Sequence, residues 1–209
     1  MLWLLGCVPA TRLLREGGSE AIRGGKLHRE ERFTPPLLVR DLQADLAACA
    51  DAGLFGRAGS GGRSDGDTFR VAEYCDPIAR SREIGMFDAF FALWERLDMV
   101  RMELAADLGC ELLPEMEIHY VRYPPGGYFK RHVDDYEEDR TDVTSSRCIS
   151  FVCYLSDTDW SAEDGGALRV HAPAGKDVAF EDHLPESGLL VLFDSKSVEH
   201  EVLVTHRER

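Results

Sequence analysis

The sequence predicts an α+β fold, with helices first and an antiparallel sandwich or barrel after them. Three observations predict it. Leucines and aromatics recur at helical spacing between residues 35 and 108. From Glu115 onward, short runs rich in Val, Ile, Tyr and Phe alternate with turn clusters. No helical stretch separates those runs, so the strands pair antiparallel and the helices buttress one sheet.

Residues 1–34 read as a tail, because glycines at 17, 18, 24 and 25 mix with charges of both signs and no period is sustained. Thr34-Pro35-Pro36 opens the first helix, since proline is tolerated in the first turn. Leu38, Leu42 and Leu46 share one face, and the helix ends near Gly53. Residues 53–66 hold six glycines with Ser60 and Ser64 and read as a mobile loop. The segment has no GxxxxGK[ST] unit, so it is not read as a phosphate cradle.

A second helix runs from about Glu83 to Leu108. Phe87, Phe90, Phe91, Trp94, Leu97, Leu104 and Leu108 form a wide apolar stripe that packs on a sheet, and Gly109 stops the helix. Seven strands follow: Ile118–Tyr123, Tyr128–Asp134, Arg147–Leu155, Ala167–His171, Val178–Phe180, Gly188–Phe193 and Glu199–Thr205. The chain therefore divides into a tail (1–34), a helical support region (35–114) and a β core (115–209).

Composition bounds the function. With 209 residues and 44% hydrophobic side chains, the chain suits one domain with a sizeable core. Its 38 acidic against 24 basic residues give a net charge of -14, which repels phosphate backbones and argues against a nucleic-acid partner. No apolar run reaches the roughly 18 residues of a membrane span. Leu2 to Ala10 is apolar but lacks a basic leader, and Glu16, Glu20, Glu30 and Glu31 argue against a transit peptide. Six cysteines without a CxxC pair read as reduced thiols, and the expected location is cytoplasmic. Cys148 and Cys153 fall on opposite faces of one strand and cannot pair with each other.

The residues that carry chemistry begin with His132-Val-Asp134. Two apart on a strand, both side chains point to one face. His200, in Val198-Glu-His-Glu-Val, supplies a third ligand from a later strand. Two histidines and one carboxylate, leaving three positions open, describe the facial triad of non-haem Fe(II) oxygenases. The His-x-acid pattern alone is weak, since His28/Glu30 and His206/Glu208 repeat it.

The neighbourhood strengthens it. Tyr123-Pro-Pro-Gly-Gly-Tyr-Phe-Lys-Arg-His-Val-Asp134 resembles the metal-binding segment of prolyl 4-hydroxylase-type 2-oxoglutarate/Fe(II) dioxygenases, closest to the hypoxia-factor branch. Arg147-Cys-Ile-Ser-Phe-Val-Cys-Tyr-Leu155, Trp160 with Asp164-Gly-Gly-Ala-Leu168, and Gly188-Leu-Leu-Val-Leu-Phe193 with His200-Glu-Val202 resemble later motifs of that family, in order.

The resemblance implies a jelly-roll (double-stranded β-helix), Fe(II) on His132, Asp134 and His200, and 2-oxoglutarate as co-substrate. It assigns the distal carboxylate of 2-oxoglutarate to Arg209, nine residues past His200, with Arg207 as the runner-up. Tyr123 and Tyr154 match tyrosines that line the 2-oxoglutarate pocket. The strand pattern supports Tyr154 independently: Cys148, Ser150 and Val152 share its face, whereas Ile149, Phe151, Cys153 and Leu155 form a core face. The implied reaction consumes O₂, releases succinate and CO₂, uses L-ascorbate, and hydroxylates a prolyl residue of a protein or peptide. The family has another strand after the arginine, so the resemblance also implies a jelly-roll lacking its last strand. That leaves a truncated, non-catalytic paralogue with a metal- or protein-binding role as the alternative. The acidic stretch Asp134–Asp142, with six acids and one arginine, reads as a solvated loop or as a gate for basic or neutral peptides.

Overall fold

The computed structural model describes residues 12–57, 69–135, 147–172 and 179–209. The segment Leu2–Ala10, most of the glycine-rich loop and the acidic stretch beyond Asp135 lie outside the described residues.

Two long helices form as their patterns require. Helix α2 (Pro36–Asp51) starts on a proline and buries Val39, Leu42, Asp45 and Cys49. Helix α3 (Phe87–Leu108) buries Phe90, Leu93, Leu97, Val100 and Leu104 along one face. It stops at Gly109, whose φ of 67° suits glycine.

The N-terminal tail is a correction. Helix α1 (Gly18–Arg23) and strand β1 (His28–Glu30) belong to the fold. Strand β1 pairs antiparallel with β10 (Leu190–Asp194), with Glu30 opposite Leu190 and His28 opposite Leu192. A strand spelled His-Arg-Glu carries no apolar alternation, so its pairing comes from β10 and not from its own sequence. Leu14, Ile22 and Phe33 enter the core at 2%, 2% and 4% exposure.

The strands form three antiparallel sheets. One has the order β1-β10-β7, with β7 spanning Ile149–Cys153. A second has the order β3-β6-β11-β8-β9, from Arg70–Val71, Tyr128–His132, His200–Val202, Leu168–His171 and Phe180–His183. The third joins β2 (Gly56–Arg57), β4 (Glu73–Cys75) and β5 (Tyr120–Arg122). The short strands β2, β3 and β4 have no sequence signal, because two or three residues are too few to show a period.

Strand β10 explains why the core has two compartments. Leu190 and Leu192 face the helices, while Leu189, Val191 and Phe193 face the space between the sheets. A strand buried on both faces reads as an unbroken apolar run, as Leu189–Phe193 does. On β7, Ile149, Phe151 and Cys153 pack with the helical compartment, whereas Val152 and Tyr154 join the inter-sheet one.

Candidate metal centre and co-substrate pocket

The inter-sheet compartment holds the candidate site. His132 ends β6, and His200 opens β11 directly opposite it. Asp134 follows His132 by two residues, so both point the same way. The ligand atoms of His132, Asp134 and His200 all lie within 4.8 Å of one another. His132 Nε2 stands 3.3 Å and His200 Nε2 3.7 Å from Asp134 Oδ1.

Each imidazole is oriented by its other nitrogen. His132 Nδ1 lies 2.7 Å from the Lys130 carbonyl, and His200 Nδ1 lies 3.0 Å from the Val198 carbonyl. A carbonyl only accepts, so each Nδ1 carries the proton and each Nε2 keeps its lone pair for a ligand. Phe129 stacks on His132 at 3.8 Å between centroids, and Phe193 meets His200 edge-on at 4.7 Å. These rings fix both imidazoles and exclude water.

Electrostatics favour the ligating protonation states. Burial pushes the His200 pKa down, against the pull of Asp134, so the ring is neutral at physiological pH. Burial opposes the Asp134 charge, but the polar groups that face it, His132, His200 and Ser150, outweigh it and hold the carboxyl at about 2. Two imidazoles and one carboxylate converging from one side fit Fe(II) with open positions.

The second cluster surrounds Arg209. Its backbone exchanges hydrogen bonds with Tyr123, N to O at 2.9 Å and O from N at 2.6 Å. Its guanidinium lies 4.8 Å over the Tyr154 ring and 5.4 Å over the Tyr123 ring, and it hydrogen-bonds to the Gly166 carbonyl. Tyr154 is 2% exposed, and its hydroxyl has no partner among the described residues. An orphaned buried hydroxyl beside a guanidinium suits an anionic ligand, which would satisfy both. Burial raises the pKa of both tyrosines, with Arg209 opposing, so both hydroxyls remain donors. Arg207 lies elsewhere: it pairs with Asp157 and, at 2.9 Å, with Asp159, and covers the Trp160 ring at 5.2 Å.

The structure therefore brings His132, Asp134 and His200 into one cluster and Arg209, Tyr123 and Tyr154 into another. Sequence reasoning misses their supports: Ser150, Ser195, Phe129, Phe193 and Arg147, which donates to the Asp134 carbonyl at 3.3 Å. Ser150 is detectable as a polar residue on the Tyr154 face. Ser195 is not, because its role comes from a turn.

Similarity to known proteins agrees with this geometry. Residues 118–209 match the 2OG-Fe(II) oxygenase superfamily. The chain is similar to a Pseudomonas putida prolyl-4-hydroxylase, with 29% identity, a TM-score of 0.73 and 91% of each chain covered. It also resembles in fold a Trichoplax adhaerens prolyl hydroxylase solved with a hypoxia-inducible-factor peptide, at 18% identity and a TM-score of 0.75, covering 91% of this chain and 83% of that one. A viral collagen prolyl hydroxylase from Paramecium bursaria Chlorella virus-1, in its 2OG complex, is 17% identical with a TM-score of 0.60, covering 90% and 93%. No curated protein matches the chain. Residues 118–209 are thus a 2OG-Fe(II) oxygenase domain, which supports a 2-oxoglutarate-dependent dioxygenase, and the chain is similar over 91% of its length to a prolyl-4-hydroxylase.

Proposed function

We propose that the chain hydroxylates a prolyl residue of a protein or peptide, using Fe(II) on His132, Asp134 and His200 and 2-oxoglutarate on Arg209. The observation that carries this reading is the convergence of the three ligand atoms within 4.8 Å, with both Nε2 lone pairs left available by the Nδ1 hydrogen bonds. Fe(II), when bound, supplies the oxygen chemistry that turns 2-oxoglutarate into succinate and CO₂ and hydroxylates a C–H bond.

The chain's own residues supply position and charge. Arg209 pairs with the distal carboxylate of 2-oxoglutarate, while the Tyr154 hydroxyl donates to it and Tyr123 walls the pocket. Phe129, Phe193 and Leu168 keep bulk water out. Ascorbate serves to keep the iron reduced. We place the protein in the cytoplasm, a reading supported by the five free cysteines among the described residues. No helix among the described residues is long and apolar enough to cross a membrane.

The test is succinate formation from 2-oxoglutarate with Fe(II) and ascorbate, with and without proline-containing peptides, followed by mass analysis of the peptide. The expected result is peptide-stimulated turnover and a gain of one oxygen on proline, both lost in His132→Ala. Turnover that no proline peptide stimulates, with oxygen appearing on another residue or on a small molecule, overturns the prolyl assignment.

A further inference from the structure

The metal-ligand candidate Asp134 rests on a pair of serines that no motif marks. Ser195 is 0% exposed and sits just after β10. Its carbonyl accepts from the amides of Asp134 at 3.0 Å and Asp135 at 3.1 Å, and its own amide donates to the Cys148 carbonyl at 3.0 Å. Its hydroxyl lies 2.8 Å from the hydroxyl of Ser150 on β7. Two hydroxyls in contact share one proton between them and keep one O–H to donate elsewhere. That contact ties the Ser195 turn to β7, and through the Ser195 carbonyl it fixes the backbone of Asp134.

The same turn serves His200. Asp194 Oδ1 accepts from the amides of Lys196 and Ser197, at 3.1 and 2.8 Å, and the Asp194 carbonyl accepts from the Val198 amide. The turn thereby presents the Val198 carbonyl to His200 Nδ1. One five-residue turn holds two of the three candidate ligands.

We propose that Ser150 and Ser195 are positioning residues for Asp134: the hydroxyl pair fixes the Ser195 backbone, whose carbonyl holds the Asp134 amide and so aims its carboxylate at the two imidazoles. The inference rests on the metal reading of His132, Asp134 and His200. Without the hydroxyl contact the turn and the Asp134 backbone it holds move more freely, and metal affinity falls by about 10- to 100-fold, the range for lost outer partners of a metal ligand.

The test compares Ser150→Thr with Ser150→Val, which share a shape and differ by one hydroxyl. Mn(II) is the probe, because it takes the same imidazole and carboxylate donors without oxidising. Its affinity is read by titration calorimetry and its spin resonance on the full chain, beside the melting temperature of the metal-free protein. The expected result is near-native Mn(II) affinity in Ser150→Thr and at least tenfold weaker binding in Ser150→Val, with equal metal-free melting temperatures. Equal Mn(II) affinity in the two variants overturns the inference while leaving the metal reading intact. A wild-type chain that binds no Mn(II), with His132→Ala no different, overturns the metal reading and this inference with it. Where Ser150→Val does not fold, Ser195→Ala replaces it, and undiminished Mn(II) affinity there overturns the proposal equally.

Discussion

Arg207 and Arg209 carry the same side chain two residues apart and meet opposite surroundings. Arg207 is neutralised by Asp157 and Asp159 at the surface. Arg209 is locked by backbone pairing with Tyr123 and lies over two buried tyrosines. Spacing from His200 favours Arg209 in the sequence, but only the pairing separates the two. Removing a guanidinium that pairs with a desolvated carboxylate costs about 2–5 kcal/mol. Arg209→Ala is therefore expected to raise the KM for 2-oxoglutarate by at least thirtyfold, whereas Arg207→Ala stays within about twofold, since exposed pairs contribute little. Steady-state succinate assays decide this, and a larger effect of Arg207→Ala would reverse the assignment. The cysteines give a pH prediction. Burial pushes the Cys153 thiol from 9.0 to about 11. The folded chain then keeps a proton that the unfolded chain releases above pH 9, so rising pH favours unfolding. Stability from this group is complete below pH 9 and lost as pH rises to about 11. Melting temperature should fall across that window, and less steeply in Cys153→Ala. An unchanged slope in that variant would show that the thiol does not titrate differently in the two states.

At the scale of elements, the least legible feature is the junction of α2, α3 and β5. The leucine repeat marks the buried face of α2 correctly at Leu42, yet that face also buries Asp45 at 0% exposure. Periodicity shows where a face points, and it cannot show a charge whose partner lies 35 residues away. Arg80 holds both Asp45 oxygens at 2.7 Å, while the Tyr120 hydroxyl and the Met86 amide also donate to that carboxylate. Asp45→Ala leaves a buried guanidinium unpaired and should cost about 3–5 kcal/mol. Tyr120→Phe removes one bond to a charged acceptor and should cost about 1.5–3 kcal/mol. Denaturant unfolding monitored by tryptophan fluorescence measures both, and equal costs would mean that the Arg80–Asp45 ion pair is not what chiefly holds the junction together. The Gly165-Gly166 turn shows the opposite case, where sequence names the feature and structure supplies the reason. Gly165 has φ 68°, and a Cβ there would lie 2.3 Å from the Val204 carbonyl. That carbonyl belongs to the segment that delivers Arg209, tied down by Gly166 N to Val204 O at 3.0 Å and Gly126 N to Thr205 O at 2.7 Å. Gly165→Ala should thus weaken 2-oxoglutarate binding together with stability, through displacement of Arg209 and not through any direct contact. Competition by a non-reactive 2-oxoglutarate analogue reads the first effect, and native analogue affinity in this variant would refute it.

Over the whole molecule, the two long helices, most strands after Glu115 and the metal cluster are legible because each has a period or a motif that one segment carries alone, whereas β9 (Phe180–His183) meets the expected Val178–Phe180 at one residue only. Residues 12–34 are illegible because nothing in them repeats; their order is imposed from outside. Leu13 and Leu14 amides donate to the Glu103 carboxylate on α3 at 2.9 and 2.8 Å. Arg12 pairs with Asp107, and Glu30 is buried against Arg15 and His28. Arg96 on α3 donates to the Phe33 carbonyl at 2.6 Å. The segment thus straps α3 to β10, the strand whose far end starts the turn that orients Asp134 and His200. Burying Leu14, Ile22 and Phe33 stabilises by about 1.5–3 kcal/mol each, on the order of 5–9 kcal/mol together. That equals much of the roughly 5–15 kcal/mol by which a domain is ordinarily stable. Its loss also unpairs the edge of β10 and exposes Leu190 and Leu192. A chain of residues 35–209 should therefore lose its cooperative thermal transition and its Mn(II) binding together, even though all six predicted ligand-binding side chains are still present. Retention of a sharp transition within a few degrees of the full chain would mean that these contacts are decorative, and that residues 1–34 behave as the tail their sequence alone suggests.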